Sequence, residues 1–256
     1  MDKTYYLRRI QSEFPFLQDL KFKTRLFLNR VMNKVHDHDF EAIRLFFNEP
    51  GKTFVDIGAN RGEAVNSIFT CSPSAKIVAF EPNKFIYEKL LLGVPNDKKR
   101  HFMAYNYGLS SKNGDFTLYV PYYKNFMYDG LASLHFENAS DWLETRMWHY
   151  NPKHLSVREC KVELKQLDDF KLNPYFIKID VQGHEIEVLR GARKTLETNK
   201  PVLLVESPDD AVVQFMTELG YDYFMYSHGR FFKHKMGSVN TFFIPGGVAE
   251  KLPLAS

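Results

Sequence analysis

The stretch Thr53-Phe-Val-Asp-Ile-Gly-Ala-Asn-Arg-Gly62 decides how the rest of the chain is read. Thr53 to Ile57 is a short β-branched and apolar run that ends directly on glycine. Gly58 and Gly62 allow a tight turn and a close backbone approach to a ligand. A helical stretch from Ala64 to Phe69 follows, and then a second apolar run, Lys76 to Phe80. The rhythm continues through a helix over Lys84 to Leu92, a strand over His101 to Tyr105, a strand over Tyr175 to Ile179 before a helix near 184–197, and a strand over Pro201 to Val205 before a helix near 209–219. Short apolar strands alternating with helices predict a Rossmann-like, doubly wound and mostly parallel α/β sheet with both faces covered.

Two regions depart from this alternation. Residues 1 to about 50 read as a helical N-terminal extension. Leu17, Leu20, Phe22, Leu26, Phe27, Val31 and Val35 recur at helical spacing, as do Phe40, Ile43, Phe46 and Phe47, until Pro50-Gly51 breaks the pattern. The remaining 51–256 form the main domain, with an aromatic-rich insertion at about 121–160. Phe116–Val120 and Cys160–Leu164 read as edge strands on either side of it. Its aromatics, Tyr122, Tyr123, Phe126, Tyr128, Trp142, Trp148 and Tyr150, either pack the insertion onto the body or line a substrate mouth. Tyr223–Tyr226 and Thr241–Ile244 predict a closing antiparallel pair.

Composition narrows the function classes. In 256 residues with 44% apolar and 25% charged content, a formal charge of +3 predicts no nucleic-acid partner. Cys71 and Cys160 match no metal spacing and read as free thiols. The charged N-terminus and the lack of a long apolar run predict neither a signal peptide nor a membrane span, so a cytoplasmic location is expected. The apolar N-terminal helices offer a surface for a homo-oligomer.

Four apolar runs finish in, or just before, a carboxylate: Asp56, Glu81, Asp180 and Glu206. A parallel sheet gathers its strand ends on one rim, where ligands bind. Each carboxylate alone also reads as a helix N-cap. Glu81, ending the second strand, suits a ribose diol. A dinucleotide site requires G-x-G-x-x-G, but its three positions here hold Gly58, Asn60 and Glu63, so a nicotinamide oxidoreductase is the weaker reading. An acidic rim suits a cofactor that carries a sulfonium and an ammonium.

The segments FVDIGANRGEAV, IVAFEPN, NYGLSSKNGDFTLYV and FIKIDVQGHEIEVLRGA, followed by LLVES, resemble the FkbM-type methyltransferases in order from about residue 53 to 207. The resemblance implies the sheet of class I methyltransferases and S-adenosylmethionine as cofactor. It implies binding by Asp56, Gly58, Asn60, Gly62, Glu81, Pro82 and Asn83, by Asn106, Tyr107 and Gly108 after the third strand, and by Asp180. It also implies O-methylation of a sugar, glycan-precursor or other small-molecule hydroxyl. Gln182 stands where the family usually has glutamate, which keeps open a non-catalytic binding module. Asp180, His184 and Glu206 are the candidate catalytic groups; removal of the acceptor's proton is the chemistry they suit. Asp180 and Glu206 also offer hard oxygen ligands suited to magnesium or manganese. His135, His149 and His154 lie in the insertion, within range of an acceptor there. Lys178, on the strand face of Asp180, either binds a phosphate or neutralises the rim.

Overall fold

The computed structural model describes residues 13–14, 16–46, 51–141, 143–144 and 147–255. Phe47, Pro50 and Trp142 lie outside these residues, as does the side chain of Leu17. In chain order the described elements begin with α1 (Phe16–Val31) and a 3₁₀ turn (His38–Leu45). The alternating unit follows as β1 (Thr53–Ile57), α2 (Glu63–Cys71), β2 (Ile77–Phe80), α3 (Lys84–Gly93) and β3 (Phe102–Tyr105). Then come β4 (Gly108–Leu109), β5 (Gly114–Tyr123), β6 (Phe126–Met127), α4 (Phe136–Ser140) and β7 (Leu155–Lys165). The chain returns through β8 (Pro174–Ile179), α5 (Glu185–Arg190), α6 (Arg193–Asn199), β9 (Val202–Glu206) and α7 (Asp210–Glu218). It closes with β10 (Tyr221–Ser227), β11 (Arg230–Lys233), β12 (Asn240–Pro245) and α8 (Gly246–Ala249).

The large sheet has the order β11-β10-β12-β9-β8-β1-β2-β3. Strands β9, β8, β1, β2 and β3 run parallel, and β12, β10 and β11 are antiparallel to their neighbours. The strand order reverses between β1 and β8, the switch point at which such sheets open a crevice for ligands. Both faces are buried, which is why the strands read as continuous apolar runs. Phe54, Phe176, Leu204 and Phe242 pack one face, and Val55, Ile177, Leu203 and Phe243 pack the other. The expected closing pair forms as β10 and β12, with Phe224 opposite Phe242.

The two predicted edge strands lengthen into β5 and β7, which pair antiparallel with Phe116 opposite Val162 in a second sheet of order β4-β7-β5-β6. Their alternation turns Leu118, Val120, Val162 and Leu164 inward. Of the two readings of the insertion aromatics, packing holds for Tyr123, Phe126 and Tyr128, which build a small core with Leu143 and Met147.

The N-terminal region is only partly α-helical. Phe40, Ile43 and Phe46 follow a three-residue spacing, which a 3₁₀ turn brings into line, and all three are buried on the sheet. On α1, Leu26 is buried, whereas Leu20, Phe27 and Val31 are 62%, 62% and 67% exposed. Both cysteines are free. Among the described residues, no helix is long and apolar enough to cross a membrane.

Candidate functional site

A cavity of about 700 Å³, measured to its open mouth, lies at the carboxyl ends of β1, β2 and β8. Its floor and one wall come from the loop after β1 (Gly58, Asn60), the end of β2 (Glu81, Pro82) and the turn after β8 (Asp180, Gln182, His184). The second sheet supplies the roof, with Leu118, Ala132, Leu134 and Leu164 as apolar lining. The sequence shows a site at the rim; the roof comes from pairing across about forty residues, for which no local signal exists.

Glu81 is buried, and its two oxygens are oriented by backbone. Oε2 accepts from the Asn60 amide at 2.9 Å, and Oε1 accepts from the Asn83 amide at 2.9 Å. Burial raises its pKa to about 7, against the pull of these two hydrogen bonds. Asn60 has left-handed backbone (φ +45°), and its Oδ1 is buried with no hydrogen-bond partner among the described residues. An unmet acceptor beside a carboxylate with spare lone pairs is a site that a ligand's donors complete. Gly58 (φ +78°) sits so close to the end of β8 that a Cβ there would lie 1.8 Å from the Asp180 carbonyl oxygen.

At the switch point, Asp180 has three polar neighbours. Gln182 Nε2 donates to its Oδ1 at 2.8 Å, Lys178 Nζ stands 3.9 Å from Oδ2, and the Glu206 carboxyl shares a hydrogen bond with it. Burial alone would raise Asp180; Lys178, with the bonds from Glu206 and Gln182, outweighs that and holds the carboxyl below the ordinary range. Glu206 goes the other way, raised by burial and by the adjacent Asp180. The two adjacent carboxyls therefore titrate as a pair, with Asp180 pushed down and Glu206 pushed up. Gln182, the departure from the family pattern, is a neutral donor where a glutamate would add a third carboxylate. Lys178 is buried and also bonds the Ile179 carbonyl at 3.1 Å, so it neutralises the rim rather than reaching outward.

The remaining predicted residues divide. Tyr107, Gly108 and Pro82 line the cavity, and a Cβ on Gly108 would meet Leu164 at 2.3 Å. His184 lines it too, with Nε2 2.9 Å from Ser110 Oγ, and burial lowers its pKa. Four others stand behind the lining. Asn106 Nδ2 donates to the Glu81 and Pro82 carbonyls at 2.9 and 3.0 Å, and Asn83 caps α3 through the Phe85 amide at 3.1 Å. Gly62 starts α2. Asp56 lies beneath the loop, opposite Lys178 in register. These four shape the site without facing it. His135 stacks 6.1 Å from His184, whereas His149 lies against Trp148 and His154 against Tyr123.

Sequence reading missed Asp129, which lines the cavity from the insertion. Its carboxylate pairs with the buried Arg61, which also pairs with Asp19 of α1. The expected magnesium or manganese site is not supported, because among the described residues no three His, Cys, Asp or Glu side chains are arranged to hold a metal ion. Asp180 and Glu206 bond each other instead.

Asp56 yields a stability prediction. Neither carboxylate oxygen has a hydrogen-bond partner among the described residues, and burial raises the pKa to about 7 despite Lys178. A raised carboxyl pKa gives stability that is complete at acid pH and lost as pH rises through about 7. Asp56→Asn is expected to unfold at higher temperature than wild type at pH 8.5, by roughly 2–4 °C per kcal/mol regained. Thermal scans at pH 5 should show a smaller difference, closing only as pH approaches the ordinary carboxylate range at about 4; an equal difference at pH 5 and pH 8.5 would contradict the assignment.

The profile described as the Methyltransferase FkbM domain matches residues 56–223, more than half of the chain. The chain is 27% identical over 169 residues to hexuronic acid methyltransferase AglP of Haloferax volcanii, covering 62% of this chain and 58% of that protein. It is 31% identical over 176 residues to methyltransferase sdnD of Sordaria araneosa, covering 60% of this chain and 64% of that protein. It thus spans less than two thirds of either curated relative. Methyltransferase FkbM from Methylobacillus flagellatus superposes with a TM-score of 0.50 at 14% identity, over 80% of this chain and 47% of that one, and shares the fold.

Proposed function

We propose, from the premise that this chain belongs to the FkbM methyltransferase family, that it transfers a methyl group from S-adenosylmethionine to a hydroxyl of a sugar, glycan precursor or related small molecule. One observation carries the reading: a single cavity joins the backbone-oriented Glu81 carboxylate, the unpartnered Asn60 Oδ1 and Asp180 at the sheet's switch point. The hexuronic acid in the name of the Haloferax volcanii relative supports a sugar acceptor.

When bound, S-adenosylmethionine supplies an electrophilic methyl group on a sulfonium. Glu81 is suited to accept both hydroxyls of its ribose through the lone pairs that the backbone leaves unused. Phe80, Leu109, Leu118 and Leu164 form apolar walls suited to a flat base and exclude water from it. Asp180, ionised beside Lys178, accepts the proton of the acceptor hydroxyl as the new bond forms. Glu206 keeps its own proton and steadies that charge. His184, left neutral by burial and tethered to Ser110, completes the wall on the acceptor side.

Calorimetric titration separates this reading from a nicotinamide enzyme: S-adenosylmethionine is expected to bind, and binding of NAD alone would refute the proposal. Glu81→Gln keeps one acceptor for the backbone but loses the charge. It should weaken S-adenosylmethionine by about 10- to 100-fold, the equivalent of one hydrogen bond to a charged group.

A further inference from the structure

A second recess, with about 750 Å³ of empty space, lies between α1 and α3, away from the methyl-transfer cavity. Phe22, Leu26 and Leu92 make its apolar surface, and Lys23, Arg30 and Lys89 stand around it. Asp19 is the one carboxylate among its lining residues, and it is already shared by Arg61 and Lys89. Arg30 donates to the Asn66 side-chain oxygen at 2.6 Å and to the Gly93 carbonyl, and Asp97 acts on it from outside the recess lining. The recess therefore holds more cation than its own acid neutralises.

The outer surface of α1 continues from this rim. At about 3.6 residues per turn, Leu20, Phe27 and Val31 fall on one line along the helix. Lys23 flanks that line on the recess side, and Leu28 and Lys21 flank it on the other. All three residues of the line are more than 60% exposed, and Leu92 at the recess mouth is 79% exposed. An apolar stripe bordered by lysines matches a helix that lies in the plane of a membrane interface, its stripe among the acyl chains and its lysines at the headgroups. Charge also selects the occupant. Lys21 and Lys23 stand exposed on either side of the stripe, and an anionic lipid surface answers both at once.

We infer that the α1 face and the cationic recess beside it dock this protein onto an anionic lipid bilayer. The stripe provides apolar burial, and Lys21, Lys23 and the recess provide the preference for negative headgroups. This surface is distinct from the proposed methyl-transfer cavity, although Arg61 touches both through Asp19 and Asp129, and the lipid reading does not rest on the methyl-transfer one.

Vesicle co-sedimentation of the full chain tests it. Binding is expected to vesicles of mixed phosphatidylcholine and phosphatidylglycerol, to be weak on phosphatidylcholine alone, and to fall as salt rises. Lys21→Gln and Lys23→Gln should each weaken binding by about fivefold. The double variant Phe27→Ser, Val31→Ser should weaken it by more than about tenfold, with S-adenosylmethionine binding unchanged as the check on folding. Equal binding to neutral vesicles, or no vesicle binding, overturns the inference. So does self-association in sedimentation velocity that the Phe27→Ser, Val31→Ser pair abolishes while vesicles remain unbound.

Discussion

Asp180→Asn is expected to lower kcat for methyl transfer by about 10²- to 10⁴-fold, the usual weight of a positioned proton acceptor, while S-adenosylmethionine affinity changes only a few-fold. Asparagine keeps the shape of the side chain and can still face Gln182, but it cannot take a proton, and it leaves Lys178 without the carboxylate 3.9 Å away. The pH profile adds a second check. The wild-type carboxyl is held below the ordinary range by Lys178, Glu206 and Gln182 against the opposing effect of burial. Its basic form therefore persists as pH falls, and kcat with S-adenosylmethionine saturating should stay flat on the acid side until the carboxylate range is reached. Undiminished turnover in Asp180→Asn on a sugar-hydroxyl acceptor would remove Asp180 from the chemistry.

Gly58→Ala should be severely damaging. The new Cβ would lie 1.8 Å from the Asp180 carbonyl oxygen and 2.9 Å from its carbon, both backbone atoms, at a φ of +78°. The Gly58 and Ala59 amides both bond the Phe80 carbonyl at 3.0 Å, and the Asp180 amide bonds the Ile57 carbonyl at 3.0 Å, so neither strand end is free to withdraw. Left-handed strain and steric overlap together predict a loss of about 2–5 kcal/mol. They also predict a loss of cofactor binding well beyond tenfold, because relief of the collision must move Asp180. Gly220→Ala serves as the control: its φ is +80°, but nothing lies within 4 Å of the added Cβ. Denaturant titration should show it paying for backbone strain alone, about 1–2 kcal/mol. Equal losses at the two positions would show that the contact at Gly58 contributes nothing.

The parallel half of the sheet was legible because strands buried on both faces must be apolar throughout and end abruptly at the rim. Val55, Asp56 and Gly58 announce that sequence of events in four residues. The rim carboxylates were legible for the same reason. What local reading could not supply was depth. Asp56 and Glu81 end neighbouring strands, yet one is sealed under the loop and the other lines the cavity, a difference set by which turn folds over which strand. Asn83 and Asn106 likewise read as ligand contacts; in the fold the Asn83 side-chain oxygen caps α3 at the Phe85 amide, and the Asn106 side-chain amide holds the Glu81 and Pro82 carbonyls. Leu118 and Leu164 of the roof belong to a sheet whose partners lie about forty residues apart, and Asp129 sits in a 3₁₀ turn of the insertion that this sheet carries; no period in the insertion encodes that pairing. On α1 the apolar spacing marks a helix, yet among its described apolar side chains Leu26 and the half-buried Phe22 turn inward while Leu20, Phe27, Leu28 and Val31 stay exposed.

Arg61 stands in the loop after β1, buried between Asp19 of α1 and Asp129 of the cavity wall, with its guanidinium also 5.2 Å from the Phe22 ring. It therefore joins two surfaces in one thermodynamic cycle. Any contact that repositions Asp19 changes how firmly Arg61 holds Asp129, and so alters the free energy of filling the cavity. Linkage makes the effect mutual: a ligand in the cavity must change the affinity of the outer helix for its own partner by the same factor.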